Sequence, residues 1–591
     1  MTQSRVICNP LDLAYAYSDV RSLTGKRSLS REAADPSVVL FRGSYFMFAS
    51  MTPGFFHSDD LVSWTLQRSD KFPAYDYAPD VREVDGALII SASRRGKPSP
   101  FYRSRDPLAD DFVEITPGTF AFWDPNLFQD DDGRLYLYWG CDARVPLQGV
   151  ELDPTTFEQV GTPKALISSD RESRGWERNG ENHDPKKNSL MSKLIFGGRP
   201  FIEGAWVTKQ GNTYYLQYSA PATELNTYAD GYYTSKSPLG PYEYSMDSPF
   251  SSKPGGFITG AGHGSTFQDE HGNWWHASTM RISVNQTYER RVGLFPAGFD
   301  EDGTLFCNQN FADYPSRVPD GPFDPWDDIF AGWMLLSYRK PVAATSSQPG
   351  HGPGLAVNEN VRDWWVAGIS APGESLTVDL GATVQVHAVQ VNLADHDLTK
   401  ITPAPPKASL RHMAGHKRLV DPATHPTEYV LESSEDGESW SVHWDGRGTG
   451  QDTPHKMITI ENGTPARYVR VIGHAMPFDA PLALSGIRVF GRGVGSRPAP
   501  VEANAVRLDP LTASVSWRED DNADGYNVRY GRQPGKLYHS WLVYGQSALN
   551  LSSLNAGEKY WVAVDAFNEN GITAGAVVAI SAQTTESRVS R

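Results

Sequence analysis

One short unit recurs five times in the first half of this 591-residue chain. Each copy has a turn carrying a polar residue, a strand, a glycine reversal and an aromatic or aliphatic returning strand. The copies begin at Ala34-Asp35-Pro36-Ser37-Val38, Tyr77-Ala78-Pro79-Asp80-Val81, Trp123-Asp124-Pro125-Asn126-Leu127-Phe128, Phe201-Ile202-Glu203-Gly204-Ala205-Trp206 and Gly262-His263-Gly264-Ser265-Thr266-Phe267. Their reversals fall at Gly43, Asp85-Gly86, Asp132-Gly133, Gly211 and His271-Gly272. Each copy is a hairpin signature, and the spacing is close to that of a four-stranded propeller blade. The wide gap before Glu203 holds residues 170–199, which are charged and lack apolar periodicity. It reads as an inserted loop over the mouth of the central channel. In a propeller the innermost strand of each blade aims its leading residues at the axis. Asp35, Asp124, Glu203 and His263 are therefore expected to converge. Any one of these turns alone is explained by ordinary turn chemistry; their shared register is not.

Composition narrows the function classes. Aromatic residues make up 12% of the chain, with 53 Gly and 42 Pro, and long amphipathic helical patterns are scarce. The expectation is an all-β protein of several domains. A net charge of -16 argues against nucleic acid as the partner, since phosphate binding needs a basic face. Neutral, hydroxyl-rich carbohydrate suits an acidic, aromatic-rich surface better. Cys8, Cys141 and Cys307 are odd in number and lack metal-ligand spacing, so they read as free thiols and favour a reducing compartment. No apolar run is long enough to span a bilayer and no leader is visible. The expectation is a cytoplasmic protein without a membrane partner, or a secreted one if a signal peptide has been removed.

The ordered motifs Ala-Asp-Pro-Ser-Val, Trp-Asp-Pro-Asn-Leu-Phe, Ile-Glu-Gly-Ala-Trp and Gly-His-Gly-Ser-Thr, with His57-Ser-Asp-Asp-Leu-Val-Ser-Trp64, resemble glycoside hydrolase family 43 over roughly residues 30–320. That resemblance implies a five-bladed propeller and an inverting glycosidase. It further implies that Asp35 is the general base, that Asp124 tunes and orients the acid, and that Glu203 is the general acid. His263 matches the family's central histidine, often near a bound metal ion or water, which leaves a structural calcium or other metal open there. The chemistry itself requires no cofactor. Ala205 departs from the proline found in many members.

The residues fit this division independently of the resemblance. Inversion needs one protonated carboxyl at the leaving oxygen and one ionised carboxylate that activates water. Asp35, in a polar turn, suits the ionised role. A carboxyl between Ile202 and Trp206 would be desolvated, which disfavours the charged form and suits an acid. Phe55 and Tyr77 are candidate aromatic walls for a sugar face, and Asp80 and Arg291 are candidate substrate contacts; core packing, strand-start turns and surface ion pairs are their competing explanations.

The propeller is expected over 1–325. Strand patterns such as Ser375 to Leu380, Val384 to Val391 and Ser485 to Gly491 resemble a discoidin-type jelly-roll β-sandwich over 326–495. Trp364 and Trp365 are its candidate sugar-binding aromatics, with core the favoured reading. Ala513 to Trp517, Gly525 to Tyr530 and Lys559 to Asn568 resemble a fibronectin type III β-sandwich over 500–586. The functional expectation is an exo-acting enzyme releasing terminal sugars, α-L-arabinofuranose first. The alternatives are β-xylosidase, β-D-galactofuranosidase or exo-β-1,3-galactanase and, from another class, a non-catalytic sugar-binding propeller.

Overall fold

The computed structural model describes residues 5–72, 77–94, 96–184, 198–413 and 416–582. Residues 185–197 of the expected insertion and the tail 586–591 lie outside them. Five antiparallel ladders of four strands follow one another along the chain, the fourth carrying an extra short strand, Ser251–Ser252. Their first strands are Ala34–Phe41, Tyr77–Val84, Asn126–Gln129, Glu203–Gln210 and Thr259–Gln268. Each first strand contacts the first strands of the neighbouring ladders, and the fifth contacts the first. The ladders are therefore the blades of a closed five-bladed ring, with the five repeats forming its inner wall.

Blade-to-blade packing is apolar. Phe41, Phe46, Phe48 and Phe55 of blade 1 interdigitate with Val81, Leu88 and Ile90 of blade 2. Tyr136, Tyr138 and Leu147 of blade 3 meet Val207, Leu216 and Tyr218 of blade 4. Phe267, Trp275 and Leu294 of blade 5 meet Val38, Tyr45 and Met47 of blade 1, which seals the ring. Each fully buried aromatic of this kind contributes about 2–3 kcal/mol. Among the described residues no strand is shared across the closure. The N-terminal segment helps instead: Val6–Ile7 pairs with Ser316–Arg317, and the Asn9 amide donates to the carbonyls of Leu294 and Ala312.

One departure from the expected layout bears on the site. Residues 16–32 enter no blade. They form a hairpin, Ala16–Arg21 with Arg27–Glu32, whose outer partner is His416–Val420 from the second half of the chain. The strand Arg27–Glu32 leads directly into blade 1, so this antiparallel sheet, shared between the two halves of the chain, abuts the inner wall.

The second unit is built around two long strands, Ser375–Leu393 and His455–Ala475. Their ladder slips between Asp379 and Val384 and again between Val386 and Ala388. One half of each strand pairs towards Val342–Ala344 and Glu428–Ser434, the other half of Ser375–Leu393 towards Ala483–Arg492. A continuous ladder thereby folds over a core of Leu376, Val378, Val389, Val471, Ile487 and Val489. The third unit has a three-stranded sheet (Ala503–Asp509, Thr512–Trp517, Ala548–Leu551) facing a sheet built on His539–Tyr544, Gly525–Gly531 and Trp561–Asn568, with Trp517, Tyr526 and Tyr560 between them.

Both units are joined tightly to the ring. Buried Arg488 of the second unit pairs with Glu359 and donates to the carbonyl of Asp313. One stretch of the expected channel-mouth loop lies elsewhere: Gly175 N–H donates to Leu554 O and Arg178 to Ser552 O of the third unit, while Trp176 is fully buried against blade 4. Apolar Trp176 has more to gain from that interface than from a solvated channel mouth.

Candidate active site

Each blade's inner wall begins with a residue in the left-handed region: Asp35 (φ 51°), Ala78 (46°), Asp124 (51°), Gly204 (61°) and His263 (47°). In blades 1, 2, 4 and 5 the ladder slips register across that residue. The slip is a bulge, which re-aims side chains at the cost of local strain. Four of these residues have the backbone N–H held by a hydroxyl from the second strand of the preceding blade. Asp35 N–H donates to Thr279 Oγ1 at 2.7 Å, Ala78 to Ser50 Oγ at 2.7 Å, Asp124 to Ser93 Oγ at 2.8 Å and His263 to Ser219 Oγ at 2.7 Å. The step into blade 4 differs. Blade 3 ends its second strand Trp139-Gly140-Cys141, and Cys141 Sγ donates to Glu203 Oε2 at 2.9 Å.

Glycine at 204 answers a local need. Beyond its positive φ, a Cβ there would lie 2.6 Å from Ser219 Oγ and 2.9 Å from His263 Cγ. We expect Gly204→Ala to cost about 2–3 kcal/mol in strain and displacement and to lower kcat by moving the imidazole. Thermal melts and steady-state kinetics check both.

The bulges bring the carboxyls together. His263 Nδ1 lies 3.5 Å from Asp35 Oδ1 and 3.9 Å from Asp124 Oδ2. An oxygen of Asp124, an oxygen of Glu203 and Cys141 Sγ lie within 4.8 Å of one another. Glu203 Oε1 accepts from Tyr228 Oη. Asp230 sits behind the imidazole, accepting from His263 N at 2.8 Å and Gly264 N at 3.1 Å and pairing with His276 Nε2 at 3.0 Å.

Electrostatics divides these groups. Burial alone would raise the Asp35 carboxyl, but the Arg290 guanidinium at 3.0 Å and the His263 ring outweigh it, and its pKa is lowered. Hydroxyls of Ser50 (2.6 Å) and Thr279 (3.3 Å) add to the stabilisation of the anion. Asp124 goes the other way. Burial pushes it up to about 7, with Glu203 and Asp35 adding repulsion that His263 only partly offsets. Burial would lower His263, yet Asp35, Asp124 and Glu203 raise it. The cluster thus holds an ionised carboxylate, a proton-holding carboxyl and an imidazole biased to its cationic form.

The remaining candidates fare differently. Tyr77 lies at the site: Arg290 is 5.0 Å from its ring centroid, and Tyr288 meets it edge-on at 6.2 Å. Phe55 is a correction. It is fully buried and stacks on Phe48 at 5.1 Å within the blade 1–2 core, because strand alternation turns it away from the axis. Asp80 is a second. It is 3% exposed and accepts from Leu127 N at 2.7 Å and Asn126 Nδ2 at 3.1 Å, tying inner strands to one another. Arg291 is a third. It is buried towards the second unit, donating to His455 Nε2 at 2.9 Å, while its neighbour Arg290 faces the site. A one-residue step in a strand reverses the face. Ile202 and Trp206 do not wall the Glu203 carboxyl either. Ile202 packs in the blade 3–4 core, and Trp206 lies under Arg82 with its Nε1 on Thr266 O. Among the described residues, the donor groups close enough to share one metal ion are Asp124/Cys141/Glu203 and Glu270/His271/Asp320, and neither includes His263.

Sequence reasoning missed Arg290, Tyr228, Asp230 and Cys141. Of these only Arg290 carried a visible signal, as half of the Arg290-Arg291 pair.

Residues 28–305 match the model of glycosyl hydrolases family 43. The chain is 24% identical over 378 residues to a xylan 1,3-β-xylosidase of Vibrio sp, a match covering 55% of this chain and 65% of that protein. It is 26% identical over 298 residues to a β-D-galactofuranosidase of Aspergillus niger, covering 43% and 75%. It is 25% identical over 302 residues to a non-reducing end α-L-arabinofuranosidase of Bacteroides ovatus, covering 46% and 50%. The match thus spans just under two thirds of the first of these proteins and half of the third. The likeness to glycosyl hydrolases family 43, enzymes acting on O-glycosyl bonds, thus lies in residues 28–305, where the five blades bring Asp35, Asp124 and Glu203 around one imidazole.

Proposed function

We propose that this protein is an inverting, exo-acting glycosidase that releases a terminal sugar from an oligosaccharide or a polysaccharide side chain. What carries the reading is one buried cluster that pairs an ionised carboxylate, Asp35, with a proton-holding carboxyl, Asp124, beside Glu203. In this reading Asp35 deprotonates the attacking water, with Arg290 keeping it anionic. Glu203 delivers a proton to the leaving oxygen, and the Asp124 carboxyl against it keeps a proton in the pair up to about neutrality. His263 orients both aspartates and spreads the negative charge. Tyr228 and Cys141 fix the Glu203 carboxyl by donating to one oxygen each. Tyr77 and Tyr288, both half-buried, supply the aromatic face for the sugar.

Support for the exo mode comes from the second unit. Its strand His416–Val420 packs beside Glu32 and Tyr77, so on that side protein, not solvent, borders the site. We place α-L-arabinofuranose first among the sugars, with β-xylose, β-D-galactofuranose and β-1,3-linked galactose as the alternatives. We also assign the second unit to the discoidin-type jelly rolls and the third to the fibronectin type III sandwiches. The three-stranded sheet facing a second sheet of four strands in a row, with the short strand Val578–Ala579 added on Trp561–Asn568, supports the latter. Trp365 is fully buried and Trp364 stacks on His351 at 5.3 Å, which favours a structural role for the second unit.

The test is turnover on aryl α-L-arabinofuranoside, β-D-xyloside, β-D-galactofuranoside and β-D-galactopyranoside. The first-formed anomer is read by proton NMR. We expect one substrate to dominate and its product to be inverted. A retained anomer would overturn the base assignment of Asp35.

A further inference from the structure

The polar contacts behind Asp35 leave the propeller. Arg290, on the third strand of blade 5 (Arg290–Phe299), donates through Nη1 to Asp35 Oδ1 at 3.0 Å and through Nη2 to Glu32 Oε1 at 2.9 Å. Glu32 ends the N-terminal hairpin three residues before Asp35. Its other oxygen accepts from Arg418 Nη1 at 2.5 Å, and Arg418 Nη2 donates to Tyr77 Oη at 2.8 Å. Arg418 belongs to the strand His416–Val420 of the second unit, which pairs with Ala16–Arg21. The side chains of Arg418, Glu32, Arg290 and Asp35 are 0%, 2%, 5% and 3% exposed. Four buried charges of alternating sign thus run from the appended sandwich to the carboxylate at the axis.

Such a row has a definite physics. Arg290 is shared between two carboxylates, and Glu32 between two guanidiniums. Removing the terminal cation leaves Glu32 with one partner, so Glu32 competes harder for Arg290 and Asp35 loses part of its counter-charge. Little solvent is present to screen the change. We propose that Arg418 is a positioning residue for the reaction at Asp35: through Glu32 it holds Arg290 against the carboxylate, making the site dependent on the second unit. Glycan binding by that sandwich is not needed for this role. The proposal rests on the reading of Asp35 as the base.

Among the described residues, the other groups facing Asp35 come from every blade but the second. They are His263 and Thr279 of blade 5, Ser50 of blade 1, Asp124 of blade 3, and Glu203 and Tyr228 of blade 4. Tyr77 of blade 2 contacts the row at Arg418 and Arg290. None of these is moved by a change at Arg418 except through Glu32, Arg290 and Tyr77. Losing Arg418 therefore raises the pKa of Asp35 and shifts the acid limb of kcat/KM to higher pH.

The test compares full-length wild type, Arg418→Met and Arg418→Lys on the best aryl glycoside from pH 4 to 9. We expect Arg418→Met to move the acid limb up by about one pH unit, with about a tenfold loss of kcat/KM on that limb and a smaller change at the plateau. Lysine keeps the charge but cannot bridge Glu32 and Tyr77 together, and should shift the limb by less than half as much. An acid limb unmoved in both variants, with only Tm lowered, would overturn the proposal and leave Arg418 a structural residue. A cycle of Tm values over Arg418→Met, Asp35→Asn and the double variant needs no turnover. We expect the double variant to lose about 1 °C or more less than the two singles combined, and strict additivity overturns the coupling. Absence of wild-type turnover on every glycoside would count against the proposed function while the cycle still reads the coupling.

Discussion

Asp35→Asn and Glu203→Gln should both fall in kcat/KM by about 10²–10⁴-fold, but with opposite dependence on the leaving group. A general acid matters most when the departing alkoxide is a poor leaving group. On an aryl glycoside whose phenolate leaves readily, Glu203→Gln should keep much of its kcat. On the natural glycosidic bond it should show the full loss. As the proposed base Asp35 would act on the water, whose activation is needed whatever departs, so Asp35→Asn should be equally impaired on both substrates. Folding should survive each change. Glutamine at 203 keeps one oxygen to accept from Tyr228 and turns an amide N–H, as donor, to the Cys141 sulfur, and asparagine at 35 can accept from Ser50. The measurement is kcat/KM for both variants across a series of aryl leaving groups and one natural oligosaccharide, with Tm recorded alongside. Equal sensitivity of Glu203→Gln on every substrate would remove Glu203 from the acid role. Near-normal turnover of Asp35→Asn would remove Asp35 from the base role.

The repeated unit made the inner wall legible. Blade order and the convergence of Asp35, Asp124 and His263 follow from five hairpins in one register, because a closed ring leaves the first strands one place to point. The seryl and threonyl latches were present in the sequence too, at Ser50, Ser93, Ser219 and Thr279. Their meaning shows only across blades, where each meets the backbone of the next. Residues such as Arg290 were obscured by a property of strands. Two adjacent arginines face opposite sides, and a single bulge upstream decides which side each takes. Phe55 and Asp80 were misplaced for the same reason, since alternation sent both into packing between blades. The link from Arg418 to Asp35 was invisible because Arg418 and Glu32 lie 386 positions apart and no local pattern announces a pairing between hairpins of different units.

Asp124 supports a second large effect, on stability as much as on rate. Its folded-state pKa, about 7 against an ordinary 3.8, means that the folded protein binds a proton more tightly than the unfolded chain there. For a carboxyl raised in this way the stability contribution is complete below about 3.8 and declines as pH rises towards 7. An asparagine side chain at this position would have no charge to bury. Asp124→Asn should therefore match wild type in Tm near pH 4 and exceed it increasingly up to pH 8. The gap between the two values sets a ceiling of about 4 kcal/mol. Loss of attraction to the His263 ring should hold the gain nearer ~2 kcal/mol, or about 2 °C for a chain of this length. The price is catalytic. Without the proton that Asp124 holds beside Glu203, the alkaline limb of kcat/KM, expected near pH 7 in wild type, should move or flatten. The plateau should drop by about 10–10³-fold. Melting curves from pH 4 to 8 and the kcat/KM profile, recorded on the same two proteins, decide the matter. A pH-independent Tm difference together with an unmoved alkaline limb would show that Asp124 carries no proton in the working range. A gain in stability that appears over the same pH interval as the loss of activity ties both to the one buried carboxyl.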